Sequence, residues 1–327
     1  MTERRLDPTT GEWRMFASDR QDRTFLPDEE HCPLCPTRPG GPPTEIPLEH
    51  FEVEFFENRF PSLSRQPPVP DVVTSALYAV LPSTGASEVV VYSDDHDQGL
   101  VDMAPERIVA VIDVWTDRYA ELGRRAEVAY VFIFENRGVD VGVTLHHPHG
   151  QIYAYPDIPP RPRMELDAAL AHRTRHGTCV FCDVVAREVA EAVRVVAGNE
   201  SFLAFVPFAA RFPYEVHVTA RRHASSLLEL NGAERLALAR ILKQVLGGYD
   251  ALFGFPLPYV MSIHQAPIDD GRHRDVSHFH VEFTPLHRTA TRLKYLAGSE
   301  LGAGAFVNDT APEASAARLR AALAGDC

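Results

Sequence analysis

Leu145-His146-His147-Pro148-His149-Gly150-Gln151-Ile152-Tyr153 decides how this chain is read, because its His-x-His core returns later as His278-Phe279-His280. Working outward from both copies, one order of features occurs twice: a Cys-x-x-Cys pair, an isolated histidine, then the triplet. The first series is Cys32 and Cys35, His96, then His147 and His149; the second is Cys179 and Cys182, His223, then His278 and His280. Matching positions are offset by 147, 147, 127, 131 and 131 residues. Each isolated histidine follows a strand-like run (Val89 to Tyr92, Val216 to Thr219). A helical pattern then follows it (Ile108, Val111, Ile112, Trp115; Leu238, Ile241, Leu242, Val245). Order, spacing and flanks together point to an internal duplication.

Further strands are expected at Glu52 to Phe56, Ala76 to Leu81, Tyr130 to Glu135, Gln151 to Tyr155, Phe202 to Val206, Tyr259 to His264 and Phe279 to Thr284. The fold class is therefore α+β, two similar halves at 1–155 and 163–327. Each is an antiparallel sheet with helices on one side. The proline-rich stretch Pro156 to Pro162 reads as the linker. Glu135-Asn136-Arg137-Gly138 reads, taken alone, as a surface turn.

With 327 residues, 45% hydrophobic and 24% charged, the chain is globular and long enough for about two domains. A formal charge of −13 argues against binding a nucleic-acid backbone, while leaving room for one small anionic ligand beside local arginines such as Arg20 and Arg23. No apolar run reaches about 18 residues and no signal-like segment opens the chain, so no membrane partner and a cytoplasmic location are expected. In a reducing compartment, four of five cysteines in two Cys-x-x-Cys pairs suggest metal before disulfide. The fifth, Cys327, reads as a free terminal thiol.

Strand alternation places His147 and His149 on one face, so one imidazole can bind metal while its neighbour reacts. Imidazole is largely neutral near pH 7 and attacks phosphorus to give a phosphoramidate that can itself be displaced. Gln151, on the same face, can donate to a phosphoryl oxygen as charge develops, and Gly150 lets phosphate approach the backbone. Together these make His149 and Gln151 the candidate catalytic pair. The plainer alternative is a metal cluster using all three histidines of the motif, which gives Gly150 and Gln151 no purpose. Cys32, Cys35, His96 and His147 form a Cys2His2 set suited to tetrahedral Zn²⁺, and Cys179, Cys182, His223 and His278 form a second.

Phe134-Glu135-Asn136-Arg137-Gly138 followed by His147-Pro148-His149-Gly150-Gln151 resembles the galactose-1-phosphate uridylyltransferases of the histidine-triad superfamily. The likeness spans nearly the whole chain. It takes in Arg20 and Arg23, Asn58, His96 and the segment Lys294 to Glu300. The resemblance implies two duplicated histidine-triad-like halves and a ping-pong transfer between UDP-glucose and galactose 1-phosphate through a uridylyl-His149 intermediate. In that scheme Gln151 steadies the phosphate, Asn58 and Asn136 contact the nucleotide, and Thr144 contacts phosphate. Lys294 and Glu300 handle the hexose phosphate, although Ser299 and Phe306 stand where the family carries an aromatic and a glutamine. It also implies a homodimer with sites completed across the interface. In many members the second metal, zinc or iron, sits on a glutamate and three histidines, here Glu165, His264, His278 and His280. Both ligand sets claim His278, and the thiolates favour the cysteine set. Paired Cys2His2 sets also resemble the plant-type ADP-glucose phosphorylases, leaving an adenylyl-transferring phosphorylase as the rival. A zinc-stabilised nucleotide-binding protein without turnover is the third reading.

Overall fold

The computed structural model describes residues 2–22 and 24–325, so Arg23 and Cys327 lie outside the described residues. In chain order the elements that position the site are β1 (Glu54–Glu57), β2 (Ala86–Val91), α1 (Pro105–Gly123), β3 (Tyr130–Arg137) and β4 (His149–Tyr155) in the first half. The second half holds α2 (Pro160–His176), α3 (Val180–Glu191), β5 (Val195–Gly198), β6 (Phe202–Phe205), β7 (Val216–Ala220), α4 (Gly232–Phe253), β8 (Tyr259–His264), β9 (His280–Pro285), α5 (Gly298–Ala303) and α6 (Pro312–Ala324).

Among the described residues, β1 to β9 form one antiparallel sheet in the order β1-β2-β4-β3-β8-β9-β7-β6-β5. Read from each outer side inward, β1-β2-β4-β3 and β6-β7-β9-β8 are the same arrangement, so the duplication is visible as a two-fold pattern. The halves meet where β3 pairs with β8, from Arg137 opposite Tyr259 to Ile133 opposite Ile263, with Phe134 opposite Ser262 between them.

Alternation along the strands sorts the two faces. Val90, Ile133 and Ile152, with Val218, Val281 and Phe283, point to one side and are fully buried under α1 and α4. On α1 the period-3.6 residues Ile108, Val111, Ile112 and Trp115 supply the facing stripe. α4 opens on a capping box, in which Asn231 Oδ1 accepts from the Glu234 amide at 3.0 Å while Glu234 accepts from the Asn231 amide at 2.9 Å. It stops at Gly254, whose φ of 76° is open to glycine.

Three expectations change. Helices do not keep to one side: α2 and α3 cover the opposite face of the second half, where Glu165 and Phe181 reach His264 and His280. Their sequences hid this, since α2 buries only Pro162, Leu166 and Ala169. The proline-rich linker is shorter than read, because Pro160 already opens α2 in the N-terminal position that needs no amide hydrogen. Of Ala76 to Leu81 only Val80–Pro82 is strand, in a separate three-stranded sheet with Thr2–Leu6 and Trp13–Ala17.

Candidate active site

β4 begins only at His149, because Pro148 has no amide hydrogen to give the ladder, and His147 lies in the preceding loop. The two rings are therefore not rungs of one strand, and backbone carbonyls aim them separately. His147 Nε2 lies 2.8 Å from the Ser93 carbonyl, leaving Nδ1 toward Cys32 Sγ (4.0 Å) and Cys35 Sγ (3.4 Å). His96 Nδ1 is 3.3 Å from Cys35 Sγ. Ligand separations near 3.5 Å are what a tetrahedral zinc with bonds of about 2.0–2.3 Å requires, and a carbonyl fixing the far ring nitrogen is the usual outer support of such a ligand. All four ligand atoms lie within 4.8 Å of one another.

The second half repeats this geometry. His278 Nε2 lies 2.8 Å from the Ala220 carbonyl, and its Nδ1 faces Cys179 and Cys182, each at 3.6 Å. His223 Nδ1 lies 3.8 Å from Cys182. The structure thus places His278 with the cysteines. Glu165, His264 and His280 form a separate group within 4.8 Å that does not include it. That group borders a small cavity in which Gln265 Nε2 and Ser277 Oγ are buried without a hydrogen-bond partner, while Glu165 Oε1 meets Arg161 Nε at 3.0 Å and His280 Nε2 lies 3.8 Å from Glu282 Oε1. Buried polar atoms are normally partnered, so the two orphans at this cavity fit a group that would satisfy them, and the carboxylate and imidazoles suit a cation. Burial pushes His147 and His278 each down to about 4, keeping both rings neutral as ligation demands.

His149 is arranged oppositely to His147. Its Nδ1 donates to the His147 carbonyl at 2.8 Å, so the Nε2 lone pair is free. Burial lowers its basicity, favouring the neutral ring. The side chain stands at the meeting of two cavities. One has apolar walls from Leu34, Phe56, Val89 and Leu145 and brings together Arg20, Asn58, Thr144, His149 and Gln151. Arg20 also donates to Tyr153 Oη at 2.8 Å, and Gln151 Oε1 is buried without a partner. Asn136 borders the second cavity with His147 and His149. There Glu135-Asn136-Arg137 is the end of β3 rather than the surface turn its composition suggested.

Lys294 and Glu300 border neither cavity. Their side chains, 4% and 5% exposed, bind each other at 2.9 Å, and the segment packs on the second half through Phe306 against Phe212. Sequence reasoning also missed the apolar walls and Glu282. The repeat carried a signal for Glu282, which follows His280 by two residues as Gln151 follows His149. In the second half Phe181, two residues after Cys179, packs tilted on His280 with ring centroids 4.8 Å apart and borders a cavity with Phe205 and His217, as Leu34, two after Cys32, walls the pocket of the first half.

Gly150 is required for a steric reason. A Cβ there would lie 2.3 Å from Tyr92 Oη and 3.3 Å from the Phe134 carbonyl. Gly150→Ala must therefore push β4 and shift His149. A displacement near 1 Å costs about 100-fold in rate, and assaying kcat of the purified variant against its melting temperature checks that the loss exceeds any loss of fold.

Similarity to known proteins follows the same lines. The family models for the N-terminal and C-terminal domains of galactose-1-phosphate uridyl transferase match residues 1–159 and 165–326. A Galactose-1-phosphate uridylyltransferase of Thermotoga maritima is 41% identical over 98% of both chains. A solved uridylyltransferase, 37% identical, superposes over 99% of both chains with a TM-score of 0.89. An ADP-glucose phosphorylase from Arabidopsis thaliana, solved with bound ADP-glucose, shares the fold at 24% identity, covering 98% of this chain and 99% of its own, with a TM-score of 0.73. The chain belongs to the galactose-1-phosphate uridylyltransferase family.

Proposed function

We propose that this enzyme transfers a uridylyl group between UDP-glucose and galactose 1-phosphate, with His149 as the nucleophile. The observation that carries this is the pairing of a free Nε2 on a neutral His149 with Gln151, on the wall of one cavity with Arg20, Asn58 and Thr144. The Nε2 lone pair attacks the uridylyl phosphorus. The pyrophosphate P–O bond breaks, and the electron pair leaves on glucose 1-phosphate, which needs no proton at neutral pH. Gln151 donates to the phosphoryl oxygen, and Arg20 and Thr144 supply further donors. A phosphate oxygen of galactose 1-phosphate then attacks the same phosphorus from the vacated side and releases His149. The uracil sits between Leu34, Phe56, Val89 and Leu145, near Asn58; Asn136 approaches the nucleotide from the other cavity.

Zinc suits Cys32, Cys35, His96 and His147, and equally Cys179, Cys182, His223 and His278; Glu165, His264 and His280 offer the harder donors that iron also accepts. Bound there, a metal supplies rigidity, holding the loops from which His147 and Leu34 are presented. Lys294 and Glu300 lie away from His149, which favours a homodimer in which each copy lends this segment to the other's hexose site. Among the described residues no helix is long and apolar enough to cross a membrane, and a cytoplasmic location suits the reduced cysteine pairs.

The paired Cys2His2 clusters and the shared fold also suit an adenylyl-transferring phosphorylase. Incubation with UDP-glucose or ADP-glucose, each labelled in the nucleotide phosphate and without acceptor, separates the two. Label on the protein from UDP-glucose alone is the expected result, and label from ADP-glucose alone overturns the uridylyl assignment.

A further inference from the structure

Directly behind the proposed nucleophile, on the helix-covered face of the sheet, a buried carboxyl joins two tyrosines. Glu135 is opposite Gly150 in the β3–β4 register and is 5% exposed. Its Oε2 accepts from Tyr92 Oη at 3.2 Å and its Oε1 from Tyr259 Oη at 3.0 Å. Tyr92 follows β2 and Tyr259 opens β8, so this one carboxyl ties together strands of both halves. Burial raises Glu135 to about 7, against the lowering effect of the Tyr259 hydroxyl and Arg137. Removing a carboxyl from water is costly, and a well-packed apolar side chain would fill the site more cheaply.

What the carboxyl secures is the place of the Tyr92 hydroxyl. The Tyr92 ring packs edge-on against Trp115 at 6.1 Å, and its oxygen sits in the space that a side chain at position 150 would fill. The hydroxyl thus bears on the backbone link between His149 and Gln151, the two side chains that must meet one phosphorus from the other face. Among the described residues Glu135 is the hydroxyl's hydrogen-bond acceptor, and without it the contact on Gly150 loosens and β4 gains room to shift within its ladder.

We propose that Glu135 is a positioning residue for nucleotidyl transfer: its carboxyl pins the Tyr92 hydroxyl against Gly150 and so fixes the backbone that presents His149 and Gln151. Glu135 borders the second cavity, but both of its carboxylate oxygens are taken by the tyrosine hydroxyls, and it acts through Tyr92. The inference rests on His149 being the nucleophile.

Single-turnover labelling of the protein by UDP-glucose tests it, using Tyr92→Phe, Glu135→Ala, Glu135→Gln and the Tyr92→Phe/Glu135→Ala double variant. Tyr92→Phe, which removes one oxygen and keeps the ring, is expected to slow adduct formation about tenfold while the KM for UDP-glucose stays within about twofold. Glu135→Ala should do the same, and the double variant should be no slower than the slower single, since both changes break one unit. Glu135→Gln, whose amide can still accept from one tyrosine and donate to the other, should recover most of the rate. An unchanged rate in Tyr92→Phe, a loss seen only in KM, or a Glu135→Gln variant as slow as Glu135→Ala overturns the positioning role. The wild-type protein controls for the nucleophile itself: no adduct at His149 there overturns the functional reading, whereas a normal wild-type adduct formed equally fast by Tyr92→Phe overturns the positioning role alone.

Discussion

His149→Ala is expected to lower exchange of glucose 1-phosphate into UDP-glucose by about 10⁴- to 10⁶-fold, the loss found when a covalent nucleophile is deleted. The pocket keeps its apolar walls, Arg20, Asn58 and Gln151, so the dissociation constant for the nucleotide should change by less than about tenfold, under about 1.4 kcal/mol. The two readouts separate chemistry from binding. A direct displacement, in which the hexose phosphate attacks UDP-glucose without a covalent stage, would survive this substitution at a measurable rate. Mass spectrometry of the wild-type enzyme quenched during turnover should find the uridylyl mass on the peptide carrying His149. Retained exchange in the variant, or an adduct on another residue, would sink the scheme.

The second large effect concerns the first Cys2His2 cluster. Cys32, Leu34, Cys35, Ile46, Val89 and Val91 form one small buried group, so an ion on the two cysteines would hold the N-terminal segment against β2. Without a cation, burial and then the Cys32 neighbour push the Cys35 thiol up to about 12, a protonated state that a zinc ion would reverse. Binding energy at such a site is folding energy. Metal removal by a strong chelator, or Cys35→Ser, should therefore lower Tm by about 10 °C, at roughly 2–4 °C per kcal/mol for a chain of this order of size. Leu34 and its neighbour Pro33 wall the nucleotide pocket, so the KM for UDP-glucose should rise alongside. Calorimetry with elemental analysis checks this, and an unchanged melting point in protein shown to be metal-free would refute a structural ion.

Much of this arrangement was legible in the residues. The Cys-x-x-Cys pairs, His96, His223 and the two triplets declared themselves by order, and the structure brings each set within bonding reach of one ion. The strand patterns at Val89 to Tyr92 and Val216 to Thr219 were clear because one face of each meets the helix layer. Less legible was anything set by pairing between distant strands. Glu135 looked like part of a turn because its partners, Tyr92 and Tyr259, are 43 and 124 residues away. His278 was claimed by two ligand sets because spacing does not say which ring nitrogen a carbonyl occupies. In the structure the Ala220 carbonyl takes Nε2, and Nδ1 faces the thiols. α2 escaped notice because its few apolar residues give too thin a stripe to stand out, and with it went the lid over the second half.

The pairing of β3 with β8 makes the seam between the repeats a run of backbone hydrogen bonds instead of a side-chain interface. Such a seam has no hinge: parting the halves would strand amides and carbonyls on both strands at once. Substrates must then be enclosed by loops or by a neighbouring copy, never by the halves closing like jaws. The second half thereby serves the first as a buttress, bracing the strand beside His149 from Ile133 to Arg137.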